Sequence, residues 1–292
     1  MNIRCKYLTS TRGGQDGAIY NGLLFRFDNK GNCRVFDVNS LLEGGKFVSE
    51  IANFTLDKSD IIAPHSNSVV FGSEFYCEGD EFPLLYSNVY NNYAKTDDPM
   101  RGVCCVYRLT RLSDGFETEL VQLIEIGFVE DANLWKASPE AHGKRPFGNF
   151  VIDTDENKYY AFVMREGTEG TRYFCFDLPC VQNGEPDARF GVKRAVLQKE
   201  DILFSFDCEH HKFIQGACCR KGLIYSLEGF NYDPEVDRQP AIRIIDPKQR
   251  KQIFHTSLVG YGFDREPEVI DFYGDVCLAS DAYGKIYQLE FE

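Results

Sequence analysis

Residues 17–38 read GAIYNGLLFRFDNKGNCRVFDV. Gly17-Ala18-Ile19-Tyr20 leads over Asn21-Gly22 into Leu23-Leu24-Phe25-Arg26-Phe27. An Asn-Gly pair between two apolar runs is a strong hairpin signal, because both of its residues accept positive φ. A second polar turn, Asp28-Asn29-Lys30-Gly31-Asn32, returns the chain into Cys33-Arg34-Val35-Phe36-Asp37-Val38. Three short runs of aromatic, aliphatic and β-branched residues with turn chemistry between them predict an antiparallel meander rather than a helix.

The same order of polar entry, strand, turn, strand, loop, strand recurs four more times. The second copy is Asn67 to Phe71, Pro83 to Tyr86 and Val103 to Leu109. The third is Asn149 to Ile152, Tyr159 to Val163 and Arg172 to Leu178. The fourth is Gly216 to Cys219, Gly222 to Leu227 and Ala241 to Asp246. The fifth is Glu268 to Asp271, Asp275 to Ala279 and Lys285 to Phe291. A fourth strand is expected after each of the first four copies, over Phe47 to Leu56, Leu120 to Phe128, Val196 to Phe206 and Gln252 to Val259. The fifth copy has none, whereas a spare strand, Ile3 to Leu8, precedes the first. Five repeats with the missing strand at the other end of the chain predict a closed ring. The expected fold is thus all-β, a single five-bladed β-propeller over residues 1–292, its last blade completed by the N-terminal strand. An open β-sandwich accounts for the strand count but not for this terminal exchange.

Composition agrees. Aromatic residues make up 14% of the 292, and charged residues 26%. The net charge of −13, from 45 acidic and 32 basic side chains without a basic cluster, argues against a nucleic-acid partner. No run is apolar for the roughly 18 to 20 residues that span a bilayer, so no membrane partner is expected. Met1 to Tyr7 lacks the apolar core of a signal peptide, and the 11 cysteines are scattered without framework spacing. Free thiols suit a reducing compartment, and a cytoplasmic location is the expectation unless an upstream signal has been removed. Cys104-Cys105 and Cys218-Cys219 are adjacent on strands, so each pair points to opposite faces and neither bridges nor shares a metal.

Over its whole length the chain resembles β-propeller proteins through its blade pattern, without a Trp-Asp dipeptide or a kelch Gly-Gly set. It is similar to a set of bacterial propellers, a likeness that carries no activity. In its five blades and closing strand it also resembles, more distantly, the arabinanase-like glycosidases. The resemblance implies that the inner strands start at the upper mouth of a central channel. The residues at those starts are Gln15-Asp16, His65-Ser66-Asn67, Gly148-Asn149, Gln215 and Glu266-Pro267-Glu268, all polar although each opens an apolar strand. Tyr93, Arg101, Trp135 and Tyr232 sit on long connections expected at the same face, as do His142-Gly143-Lys144-Arg145. A polar small molecule, a glycan among them, suits such a mouth. Water filling an ordinary channel is the plainer alternative.

His65 has the chemistry of a base or a metal ligand, and equally of a hydrogen-bonded wall residue. His210-His211 follow Asp207 and Glu209, but adjacent histidines rarely face one ion, and no residue is assigned to a metal. Asp153-Thr154-Asp155-Glu156-Asn157 begins like a calcium loop, yet Lys158 and Met164 stand where glycine and glutamate belong, so a hairpin turn is expected. His255 alternates with apolar residues on an outer strand and reads as a surface residue. No nucleotide, hydrolase or zinc-protease motif occurs, so no cofactor is named. The arabinanase likeness implies acids at several entries. Asp16 and Glu268 (or Glu266) match, but His65, Asn149 and Gln215 break the pattern. A paired-carboxylate glycoside hydrolase or lyase is therefore the second reading, and a protein-interaction platform the third.

Overall fold

The computed structural model describes residues 2–62, 64–89, 100, 102–128, 149–164, 170–209, 213–235 and 239–292. It opens with β1 (Ile3–Ser10). Blade 1 follows as β2 (Gly17–Tyr20), β3 (Leu23–Phe27), β4 (Asn32–Asp37) and, after helix α1 (Val38–Glu43), β5 (Ala52–Thr55). Blade 2 comprises β6 (His65–Phe71), β7 (Leu85–Val89), β8 (Val103–Leu112) and β9 (Gly115–Ile126). Blade 3 is built from β10 (Asn149–Asp153), β11 (Lys158–Met164) and β12 (Thr171–Asp177). Its fourth strand comes only after β13 (Glu185–Pro186) and β14 (Lys193–Leu197), as β15 (Phe204–Cys208). Blade 4 contains β16 (Ile214–Arg220), β17 (Leu223–Glu228), β18 (Ala241–Asp246) and β19 (Lys251–Ser257), and blade 5 contains β20 (Pro267–Tyr273), β21 (Val276–Asp281) and β22 (Lys285–Phe291).

Each blade is an antiparallel meander, and β1 lies against β22 as the outer strand of blade 5, from Ile3 opposite Phe291 to Ser10 opposite Lys285, with a bulge between Tyr7 and Thr9. The side-chain alternation of a strand explains why the sheets stack radially. On β7, Leu85 packs into the core shared with blade 1, and its neighbour Tyr86 into the core shared with blade 3. Cys105 and Cys104 divide between the same two cores. Separate apolar cores fill the spaces between blades 1 and 2, 2 and 3, 3 and 4, and 4 and 5. One further core, with Leu8, Ile19, Leu24, Val269 and Leu278, joins blade 5 back to blade 1. The chain is a five-bladed β-propeller.

The structure departs from the sequence expectation in three blades. In blade 1 the strand expected from Phe47 shortens to Ala52–Thr55, the Val48 amide donating instead to the Ser10 carbonyl at 2.8 Å, and a helix precedes it: Asp37 Oδ1 accepts the Ser40 amide at 2.7 Å, and Gly44 at φ 81° ends the turn. In blade 3 the strand expected over Val196 to Phe206 is two strands. A 3-10 turn at Lys199–Asp201, held by the Gln198 amide on Asp201 Oδ2 at 2.7 Å, separates them. The first piece, β14, pairs in parallel with β9 and so extends the sheet of blade 2, and only β15 completes blade 3. Arg194 fixes this strap through Glu125 at 2.6 Å and Asp187 at 2.7 Å. In blade 2 the strand expected over Pro83 to Tyr86 runs from Leu85 to Val89, so Asn88 lies on β7.

Other expectations hold. All 11 cysteines are free, seven of them buried. Residues 153–157 form the hairpin turn between β10 and β11, with Asp153 Oδ1 accepting the amides of Asp155 and Glu156 at 3.0 and 3.3 Å. His255 is on the outer strand β19, its Nε2 2.8 Å from Glu228 Oε1.

Candidate functional site

The starts of the inner strands are joined blade to blade by polar side chains. Asp16 Oδ2 accepts the Val69 amide of blade 2 at 2.9 Å. Gln15 Nε2 donates to Glu268 Oε1 of blade 5 at 3.3 Å, and Gln215 Nε2 of blade 4 donates to Glu266 Oε1 at 2.5 Å. Asn149 Nδ2 of blade 3 donates to the Ile214 carbonyl of blade 4 at 3.3 Å. The inner strands of neighbouring blades do not pair with one another, and these side chains bridge four of the five junctions between blades. Asn67 serves its own blade: its Oδ1 accepts Asn88 Nδ2 at 2.6 Å.

The packing at this ring leaves almost no free volume. Asp16 and Glu268 are 1% and 0% exposed, and a Cβ on Gly216 would stand 2.0 Å from the Glu268 carbonyl oxygen and 2.4 Å from Asp16 Oδ1. Gly216→Ala should therefore cost about 3 kcal/mol, as overpacking against backbone does. Chemical denaturation measures it, and a change within experimental error would show that the ring has slack.

Burial dominates the electrostatics. It pushes the carboxyls of Asp16 and Glu268 well above their ordinary range; for Glu268 the neighbouring charge of Glu266 adds to the rise, and Arg26 opposes it. Burial likewise raises Glu266 and Asp281. Arg26, fully buried on β3, donates from Nη2 to the Asp281 carbonyl at 2.5 Å and the Gly14 carbonyl at 3.2 Å. Burial pulls it down to about 10, the carboxylates of Glu268, Asp281 and Asp16 working against that fall, and it stays charged at neutral pH. Several buried atoms in this cluster have no protein partner: Asp16 Oδ1, Glu268 Oε2, Asp281 Oδ2, Asn149 Oδ1 and two nitrogens of Arg26.

His65 begins β6 in the left-handed region at φ 62°, followed by Ser66 at φ 33°, and the ladder to β7 shifts register there. Burial lowers its pKa to about 4, which makes it a poor proton acceptor at neutral pH. Among the described residues no group of three His, Cys, Asp or Glu side chains is arranged to hold a metal ion. Tyr232 is exposed, its amide donating to the Asp264 carbonyl at 3.1 Å. Tyr93, Arg101, Trp135, His142 to Arg145 and His210-His211 lie outside the described residues.

Sequence reading missed Arg26, Asp281, Asp271 and Arg220. Arg26 did leave a signal. It is the one charge inside Leu23-Leu24-Phe25-Arg26-Phe27, all of which is buried, and a charge in such a strand needs buried counter-charges.

The second feature of the channel is at its other end. A cavity of about 410 Å³ lies between the far ends of the inner strands, lined from β2, β6, β10, β16 and β20. Asp271 stands in its wall, with Oδ2 accepting the Ile19 amide at 2.6 Å and Oδ1 the Phe272 amide at 2.8 Å.

No family model matches the chain, and no curated protein matches it. Among solved structures, the glutaminyl cyclase of Myxococcus xanthus superposes with a TM-score of 0.50 at 8% identity, covering 98% of both chains. The computationally designed Ika8 protein (TM-score 0.36, 10% identity, 98% of this chain and 100% of that one) is less similar. So is BamB from Moraxella catarrhalis (0.34, 9%, 98% and 61%). At these identities the likeness is one of fold alone. None of the described helices is long and apolar enough to cross a membrane.

Proposed function

We propose that this propeller binds a polar, hydroxyl-bearing small molecule, a sugar or polyol, at the upper mouth of its channel. The observation that supports the reading most is the ring of polar side chains at the inner-strand starts, whose half-buried members Gln15 and Glu266 reach solvent over buried oxygens, Asp16 Oδ1, Glu268 Oε2 and Asn149 Oδ1, that no protein group satisfies. Buried polar atoms are normally satisfied by protein or water. Sealed atoms that lack a protein partner mark enclosed water, which passes hydrogen bonds on towards a ligand at the accessible side chains. Glu266 and Gln15, half-buried above them, are within reach of solvent and serve as the outer contacts.

Binding fits the electrostatics better than hydrolysis. A glycosidase separates its two carboxyls, holding one protonated and the other ionised. Here the same burial drives Asp16 and Glu268 in the same direction, and both are closed off from solvent.

The test is thermal unfolding with L-arabinose, D-galactose, D-glucose and myo-inositol, on wild type and Glu266→Gln. A ligand specific to the folded state raises the melting temperature by mass action. At least one of these compounds should do so, with the shift reduced in the variant. No shift with any of them, or an equal shift in the variant, overturns the reading.

A further inference from the structure

We infer that the opposite mouth of the channel is a second binding site, for a small zwitterion with an apolar or aromatic side group, the class of the free apolar amino acids. The site is separate from the sugar site proposed above and does not depend on it. Its cavity of about 410 Å³ is within the range of small-molecule pockets. The floor is apolar and firm: Val69, Ile152 and Cys218 are buried core residues.

Two opposite charges stand in the walls. The Asp271 carboxyl is held in place by the Ile19 and Phe272 amides, one on each oxygen, which leaves each oxygen a further lone pair for a donor. Burial pushes it up to about 6, so it is ionised at neutral pH. Arg220 is close enough for its charge to be felt at Asp271. Its Nη2 donates to the Gly274 carbonyl at 2.9 Å and stands 3.9 Å from the exposed Asp275 carboxylate, while its buried Nε has no partner. A guanidinium edge without an acceptor fits a carboxylate, and the Asp271 oxygens fit an ammonium. Tyr20, Phe71, Phe75 and Phe272 line the same cavity as the two charges, and Phe75 remains 44% exposed. Aromatic faces at a wet opening favour an apolar or aromatic body on the ligand. A neutral sugar would offer no carboxylate to the Arg220 Nε and no ammonium to Asp271, and an amine alone would face Arg220.

Calorimetric titration decides the matter, with L-phenylalanine, L-leucine and L-methionine as probes. Phenethylamine and hydrocinnamate, which each keep one charge of phenylalanine, are the controls. At least one amino acid should bind, and L-phenylalanine should bind about tenfold or more tightly than either control. Arg220→Gln, at a half-exposed strand end, should remove the advantage over the amine. Asp271→Asn should remove the advantage over the acid, with unliganded melting confirming that both variants fold. No binding of any amino acid at millimolar concentration, equal affinity for the one-charge controls, or undiminished binding in folded Arg220→Gln overturns the inference. Because the probes differ from the sugars used at the other mouth, failure of one site leaves the other standing.

Discussion

Arg26→Met should destabilise the protein by about 3–5 kcal/mol at neutral pH, the cost of leaving buried charges without their counter-ion. Methionine fills a similar volume without charge, so the loss reports electrostatics rather than a cavity. Arg26 is the cation among Asp16, Glu268 and Asp281, all of them buried, and its Nη2 also ties blade 1 to the Asp281 carbonyl of blade 5. The pH dependence gives a second, sharper readout. The folded-state pKa values of these carboxyls are raised above the unfolded value of about 4. Between the two values the folded state binds more protons, so their contribution is complete below about pH 4 and is lost as pH rises through the folded pKa. Removing Arg26 lifts the folded values further and deepens that loss. The gap between variant and wild type should therefore widen from pH 4 to pH 8 in urea titrations. A gap independent of pH would mean that Arg26 contributes packing and hydrogen bonds but no charge compensation.

Deleting residues 2–10 should abolish the cooperative native state. Strand β1 pairs with β22 along its length, and it places Ile3 in the core between blades 4 and 5 and Leu8 in the core between blades 5 and 1. Burial of two such side chains is worth about 2 kcal/mol each. The exposed edge of β22 becomes a template for pairing with other chains. Together these losses are comparable with the whole stability of a domain. The expected result is a soluble fraction that has lost its sharp thermal transition or has aggregated. A peptide of residues 1–12 added in trans should restore the transition by strand addition. A deletion variant that melts cooperatively within a few degrees of wild type would show that the ring does not need its closing strand.

How far the sequence reading reached depended on how local each feature was. The five repeats, the Asn21-Gly22 hairpin and the exchange of the terminal strand were legible because alternation and turn chemistry are properties of short segments. The strap β14 was not. Whether Lys193–Leu197 joins the blade before or after it depends on Glu125 and Asp187, remote from it in the chain or lying across a turn, which hold Arg194. Helix α1 was missed although Asp37 and Ser40 form a recognisable cap, because its six residues are too few for a helical period to show.

For the candidate sites the division is similar. The polar entries at Gln15, Asp16, Asn149, Gln215, Glu266 and Glu268 could be read from the chain, since a polar residue opening an apolar strand stands out in any register. That these side chains bond between blades, that Asp16 and Glu268 are sealed behind Gly216, and that Arg26 lies among them follow only from ring closure. So does the placing of Asp271 and Arg220 in one cavity, since they come from the ends of different blades. Sequence by itself determined the number of blades and the strand that closes them, because periodicity and turns act within a few residues. Tertiary structure alone decided which charges face one another, because in a propeller the inner strands meet only after the last blade has found the first.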